Sequence, residues 1–314
     1  MIRTYQGGDE AGFIAAWNQS MPVDGITPTI FVKRILADEN FDPEGVFIAE
    51  DAGEVIGGLT AVVRKTPRSL ADDPLDDGWI TAFFVRPGHR RRHVGRQLLE
   101  AADHFFRQRR RRVITFSAYA PHYFVPGIDR QDYPAGARLL EQSGFKTLYQ
   151  CAAMDKNLVG FRIPEPVLAH QRDREREGYY VERLTLPYMQ ATIALAVREF
   201  DPDWARAVRD AIQGSFPALN ILIARQGQAV VGFCLFGGYG HVQERFGPFG
   251  VAQSMRGTGL GSLLLYRALE QMQHSGLHNA WFLWTNEHDA AGHLYRSAGF
   301  VTTRRFDVMV KHLE

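Results

Sequence analysis

The stretch VAQSMRGTGLGSLLLY, residues 251–266, runs three glycines, Gly257, Gly259 and Gly261, through five positions directly after Arg256 and then enters an unbroken apolar helix pattern. Glycine is a poor residue at the start of a helix unless something must come close to the backbone. A strand that ends at Val251 and turns through these residues into a helix points several free N–H groups at one spot. The helix dipole makes that spot attractive to anions, and the glycines admit a phosphate where a Cβ would collide. Arg256 adds charge-assisted hydrogen bonds. The expected ligand is a pyrophosphate. The spacing, R-x-x-G-x-G, lacks the G-K-[ST] of the nucleotide P-loop, and the strands before it form a meander, unlike the dinucleotide fingerprint.

The same pattern occurs a second time. VRPGHRRRHVGRQLL, from Val85, superposes on VAQSMRGTGLGSLLL, from Val251, without a gap: Arg90 falls on Arg256, Gly95 on Gly261, Leu98 and Leu99 on Leu264 and Leu265, at a constant offset of 166. Further on, LLEQSGF ending at Phe145 matches LYRSAGF ending at Phe300. The interval from the aligned glycine is 50 in the first half and 39 in the second, which places about 11 extra residues in the first half, within AYAPHYFVPGIDRQDYP. Fixed-offset similarity of this kind means a duplicated fold.

GVFIAED, EVIGGLTAVVRK and GWITAFFV predict successive strands before Arg90, and NILIARQ, AVVGFCLFGGY and RFGPFGV do so before Arg256. In the helix that follows, Leu260, Leu264, Leu269 and Met272 recur at helical spacing, with Gly276 placed to end it. AWFLWT predicts a further strand, and Asn286 is expected to cap a short helix ending at Gly299. Between the halves, LVGFRIPEPVLAHQRDREREG reads as a helical connector. The expected organisation is a domain at 1–157, a helical linker at 158–177 and a second domain at 178–314.

The 314 residues suffice for two ordinary domains, and 45% hydrophobic with 23% charged residues predicts a packed core rather than disorder. A formal net charge of +1 supplies no global field for nucleic acid or anionic membrane. The RRRR run at 109–112 offers local charge, and its plain reading is a solvated helix end. Cys151 and Cys234 lie one in each half without metal-type spacing, so neither a disulfide framework nor a zinc site is expected. MIRTYQGGDE at the start lacks an apolar signal region, and no segment approaches the ~18 uncharged apolar residues needed to cross a bilayer. A cytoplasmic location is expected.

These residues resemble the GNAT superfamily of acetyl-CoA-dependent N-acetyltransferases, whose signature is an [R/Q]-x-x-G-x-[G/A] turn between the fourth strand and its helix. The resemblance covers both halves and is most specific from 249 to 300. It implies an α/β (α+β) chain of two tandem GNAT folds, each a mixed, mostly antiparallel twisted sheet flanked by helices. It implies acetyl-CoA as co-substrate, with the backbone of Arg256, Gly257, Thr258, Gly259, Leu260 and Gly261 around the pyrophosphate. The strand end, Phe249, Gly250 and Val251, would pair with the pantetheine arm, and Asn286 matches a position that often contacts it. Tyr295 matches the family's usual general acid.

The chemistry gives these roles a reason. An amine attacks the thioester carbonyl and coenzyme A leaves as a thiolate, which a phenol of pKa ~10 assists by hydrogen bonding or proton delivery. An alkylammonium of pKa ~10 is only about one part in 10³ free base at neutral pH, so its proton needs an acceptor. Glu244, on the strand leading to RFGPFGV, is the first candidate, one residue out of register unless Gly247 and Pro248 form a bulge. His241, Glu287 and His288 are weaker candidates.

In the first half His93 stands where Gly259 stands, and Leu140 replaces Tyr295, removing the acid. Its inserted segment gathers Tyr119, His122, Tyr123, Phe124 and Tyr133 beside Asp129, Arg130 and Asp132. Such a group suits a polar cationic ligand, or is a loop packed on the opposite domain. Tandem chains with a degenerate first half resemble mycothiol synthases and two-domain glucosamine or glucosaminide N-acetyltransferases, and the run GPFGV…RGTGLG…LWT with RRF near Arg304 looks closer to the second. The expected acceptor is a small-molecule amine, an amino sugar among the candidates, with no nucleic acid or membrane partner and the oligomeric state left open. Two alternatives stand: a non-catalytic acyl-CoA-binding sensor, against which Tyr295 argues, and an acetyltransferase acting on a protein or RNA-associated amine.

Overall fold

The computed structural model describes residues 1–65, 77–215, 220–238 and 242–314. His241 lies outside the described residues. Met1–Cys151 together with Arg304–Glu314 form one compact unit, and Ala152–Thr303 form another.

In the first unit β1 (Ile2–Thr4), α1 (Glu10–Ser20) and α2 (Pro28–Phe31) lead into β2 (Val46–Asp51), β3 (Glu54–Val62) and β4 (Asp77–Val85). These four strands pair antiparallel in sequence order. The chain then forms α3 (Val94–Gln108) and returns through β5 (Val113–Phe116), parallel to β4, before α4 (Pro134–Gln142) and β6 (Lys146–Asn157). A helix between two parallel neighbours is the crossover that such pairing requires. α3 forms because its apolar residues fall on one stripe: Leu98, Leu99, Ala102, Phe105 and Phe106 are all buried against Phe47, Leu59, Ile80 and Ile114. Burying each large side chain of that set contributes about 1.5–3 kcal/mol.

The second unit follows the same plan. After α5 (Glu165–Arg176) come β7 (Tyr179–Arg183), α6 (Met189–Glu199), α7 (Pro202–Ser215), β8 (Ile221–Gln226), β9 (Ala229–Phe236) and β10 (Phe246–Val251). β7 to β10 make an antiparallel sheet in the order β10-β9-β8-β7. Then follow α8 (Leu260–His274), β11 (Asn279–Thr285), α9 (Ala290–Ser297) and β12 (Val301–His312). α3 and α8 each have 15 residues and start and stop at the same offset of 166. Gly276, at φ +83, closes α8 as expected, since a left-handed residue past the last turn is a glycine position. The connector is helical over α5, as its composition implied.

The compact units are not cut at 157 and 177. Met309–His312 of β12 pair with β5 and Met309 is fully buried in the first unit's core, so 304–314 complete that unit. Residues 152–157 of β6 pair with β11, Met154 opposite Phe282, and belong with the second unit. The segment 158–177 also joins the second unit, because Arg267 of α8 donates to Gln171 of α5 at 2.8 Å and Val167 and Leu168 pack on that core. The inserted segment is engaged inside the first unit. Tyr119 is buried against Trp79 at 5.4 Å, Phe124 packs on Trp17 at 4.8 Å, and Tyr133 donates to Asp24 at 2.7 Å.

Candidate active site

β10 and β11 run parallel but, among the described residues, meet at a single bridge, Arg245 opposite Trp281, where Trp281 N–H donates to the Glu244 carbonyl at 3.1 Å. The corresponding strands of the first unit hold four paired positions, among them Trp79 opposite Thr115 at the same offset of 166. Past the bridge β10 is the edge of its sheet. Ala252 N–H donates to Val231 on β9 at 2.8 Å. Alternation along the strand then turns the backbone of Gly250 toward β9 and the N–H and C=O groups of Phe249 and Val251 toward the open edge. The register of β10 shifts between Phe246 and Phe249, the bulge that Gly247 and Pro248 implied.

The two faces of this strand end explain its small residue. A Cβ on Gly250 would lie 2.4 Å from Phe200 Cε1 and 3.0 Å from Trp204 Cζ3, whose rings stack at 4.8 Å over that face. Gly250 is therefore demanded by packing. On the other face an added Cβ at Gly261 would meet Val251 at 3.5 Å and Phe249 and Leu294 at 3.6 Å, ordinary contact distances, so packing alone does not demand glycine there.

The turn between β10 and α8 has one backbone shape in both units. Arg90 and Arg256 have φ, ψ of −68°, 157° and −67°, 146°. Arg91 and Gly257 follow at φ 60° and 79°, and His93 and Gly259 at φ 63° and 82°. Two left-handed residues in four positions explain the glycines of the second unit, because any other residue there is strained. The first unit keeps the shape with side chains in place. Gly257 faces open space, with no atom within 4 Å of an added Cβ. Arg256 is exposed at the rim, whereas Arg90 is folded back, its Nε donating to Val85 O and its Nη2 to Ser20 O, each at 3.0 Å. The N-terminus of α8, which no side chain caps, thus lies beside an exposed cation and three side-chain-free positions, an arrangement that fits a diphosphate.

Tyr295, on α9, is buried among Phe282, Phe300, Phe249 and Phe246, with ring centroids 4.4, 5.6, 6.0 and 6.2 Å away. Burial, with lesser contributions from Cys234 and Asp289, pushes its phenol well above the ordinary value. It stays a neutral donor at any working pH. Leu140, its counterpart in the first unit, is fully buried core.

Two expectations, the Asn286 cap and the place of Glu244, need correction. Asn286 does not cap α9: its Oδ1 accepts from His288 N–H at 3.0 Å in a local turn, and the cap is Asp289, which accepts from Gly292 N–H at 2.9 Å. Asn286 is exposed at the C-terminal end of β11. Glu244 lies in the turn before β10 rather than on the strand, half-buried. Glu287 is held by Thr302 Oγ1 at 3.4 Å and by an interaction with His288 at 3.8 Å when that imidazole is protonated. The sequence reading also missed His170 of α5, whose Nε2 lies 3.0 Å from the Thr258 carbonyl; no local pattern marks a residue that meets the turn 88 positions later. Among the described residues no helix is long and apolar enough to cross a membrane, and no group of side chains could hold a metal ion.

The model of the acetyltransferase (GNAT) family matches residues 13–124 and again 189–300. The mycothiol acetyltransferase of Amycolatopsis mediterranei (strain U-32) is 24% identical over 277 residues, covering 83% of this chain and 82% of that protein. A glucosamine N-acetyltransferase region of a fungal multi-domain beta-N-acetylglucosaminidase matches 99% of this chain with a TM-score of 0.82 at 17% identity; the chain spans only 38% of that protein. A tandem GNAT protein from the clavulanic acid biosynthesis pathway gives a TM-score of 0.65 at 15% identity, over 99% of this chain and 98% of that one. At such identities the two structural likenesses are likenesses of fold.

Proposed function

The chain belongs to the acetyltransferase (GNAT) family, and from that premise we propose that its second unit transfers the acetyl group of acetyl-CoA to the primary amine of a small molecule of the amino-sugar class, by direct attack in a ternary complex. One observation supports this most: a strand edge at 249–251, which no strand pairs among the described residues, leads straight into a left-handed glycine turn and the N-terminus of α8, which no side chain caps. An extended amide-bearing arm adds to such an edge as a strand would, and a diphosphate suits the N–H groups that follow.

In this reading Phe249 and Val251 pair with the pantetheine arm, and Asn286 touches it from the end of β11. The N–H groups of 257–261 and the Arg256 guanidinium hold the diphosphate. Tyr295 donates its phenolic hydrogen bond to the sulfur as negative charge gathers there. Its raised pKa favours donation from the neutral form over ionisation. Glu244 is the acceptor for the proton the amine loses. The amino-sugar class draws on the likeness to a mycothiol acetyltransferase along most of both chains.

The test is thiol release from acetyl-CoA across a panel of amines that includes glucosamine and cysteinyl amino-sugar conjugates. Release that depends on an amino sugar supports the reading in full. Release with other amines alone removes the substrate class, and coenzyme binding without amine-dependent release removes catalysis.

A further inference from the structure

His170 belongs to the connector in sequence but its ring lies on the glycine turn. α5 is held on α8 by the Gln171–Arg267 hydrogen bond and by Val167 and Leu168, and this sets His170 beside Thr258, with Nε2 3.0 Å from the carbonyl oxygen. A carbonyl only accepts, so Nε2 carries the proton and donates. In a trans peptide the N–H points opposite to the C=O. Holding the Thr258 carbonyl toward α5 therefore sends the Gly259 N–H to the far side of the turn. On its C-terminal side that peptide is free to turn over, because Gly259, at φ 82°, accepts either sign of φ. Thr258 is tied from its other end, its hydroxyl donating to Met255 O at 2.7 Å.

A steric observation agrees. A Cβ on Gly259 would stand 2.1 Å from His170 Nε2 and 2.8 and 3.0 Å from Cδ2 and Cε1. The first unit holds the same backbone shape with a side chain, His93, at this position. The turn thus carries a side chain at this position only at the cost of left-handed strain, and at 259 the imidazole adds a direct collision to that strain. An added methyl would push the ring off the carbonyl it holds.

Resting on the coenzyme site described under the proposed function, we infer that His170 is a positioning residue: it aims the Gly259 N–H at the diphosphate, and glycine is required at 259 to leave room for that imidazole. The experiment compares acetyl-CoA with acetyl-pantetheine, which keeps the thioester and lacks the diphosphate, using calorimetry and steady-state turnover on the full chain. His170→Ala is expected to raise Kd and KM for acetyl-CoA about tenfold, the worth of about one hydrogen bond to a charged-ligand site, with kcat at saturation unchanged. Turnover of acetyl-pantetheine is expected to stay the same. His170→Gln, whose amide nitrogen reaches the same carbonyl, restores most of the affinity. Gly259→Ala is expected to cost about a hundredfold in the wild-type background and about tenfold in His170→Ala, a coupling that two independent positions do not show.

The inference is overturned by wild-type acetyl-CoA affinity in His170→Ala, by an equal loss with acetyl-pantetheine, or by the same Gly259→Ala penalty in both backgrounds. Should His170→Ala not fold, His170→Leu, of similar size and without a donor, makes the same comparison. If the wild-type chain itself fails to bind acetyl-CoA, the proposed function falls; if it binds and the His170 variants match it, only this inference does.

Discussion

Tyr295 is enclosed by four phenylalanine rings, and that enclosure decides how a phenol serves the reaction. Its raised pKa keeps the donor protonated past the ordinary phenol value of about 10. The kcat/KM profile should therefore rise as the amine loses its proton and show no alkaline fall from the tyrosine below about pH 10. Tyr295→Phe should lower kcat about a hundredfold, leave acetyl-CoA affinity nearly intact and keep the shape of that profile. An alkaline limb below pH 10 that vanishes with Tyr295→Phe would contradict the raised pKa, and unchanged kcat in Tyr295→Phe would remove the tyrosine from the mechanism. The two thiols offer a second check. Burial, with a smaller push from Asp307, raises Cys151 to about 12, and burial raises Cys234 further. At pH 8 the Cys151 thiolate is then about one part in 10⁴, so neither cysteine should react with a disulfide reagent until the chain unfolds. Because the unfolded thiols ionise near 8.5 while the native ones hold their protons, stability should fall as pH rises above that value. At this scale the sequence was readable where one residue type has one use. Tyr295 falls on the short helix that follows AWFLWT, whereas Asn286 and Asp289 both bear a capping oxygen, and only the backbone path shows that Asp289 meets the Gly292 N–H in the first turn of α9.

The turn and its helix form an element duplicated in shape more faithfully than in composition. The 166-residue offset was legible because helix length and apolar stripe must persist if α3 and α8 are to cover their sheets. What the offset concealed was the source of each glycine. Gly257 and Gly259 answer to their positive φ, Gly250 to the stacked rings of Phe200 and Trp204, which lie some 50 residues earlier, and Gly261 to no crowding, since a Cβ there meets its neighbours at ordinary contact distance. A sequence pattern lists all four glycines alike. Gly250→Ala is accordingly expected to destabilise the second unit by about 1–3 kcal/mol through overpacking, measured by urea unfolding. Gly250→Ala combined with Trp204→Leu should not recover it fully, since Phe200 makes the closer contact at 2.4 Å. Unchanged stability in Gly250→Ala would show that the strand end has room to move.

At the scale of the whole chain, the compact units and the two sequence repeats divide it differently. Which strand β12 pairs with is a non-local property that no window of sequence contains. Met309–His312 pair with β5 of the first unit. Residues 1–157 made alone thus leave Val113–Phe116 without that partner, along an edge bearing the fully buried Ile114. Such a fragment should self-associate rather than give a monomer with a cooperative melt, and a monodisperse, cooperatively unfolding fragment in size-exclusion and thermal experiments would refute this. The pairing also has a consequence for synthesis. Phe116 must wait for Met309, some 190 residues downstream, which at 5–20 residues per second is an interval of about 10–40 s on the ribosome. The half made first is therefore the half finished last, and during that delay its exposed apolar edge depends on whatever chaperone attends the nascent polypeptide.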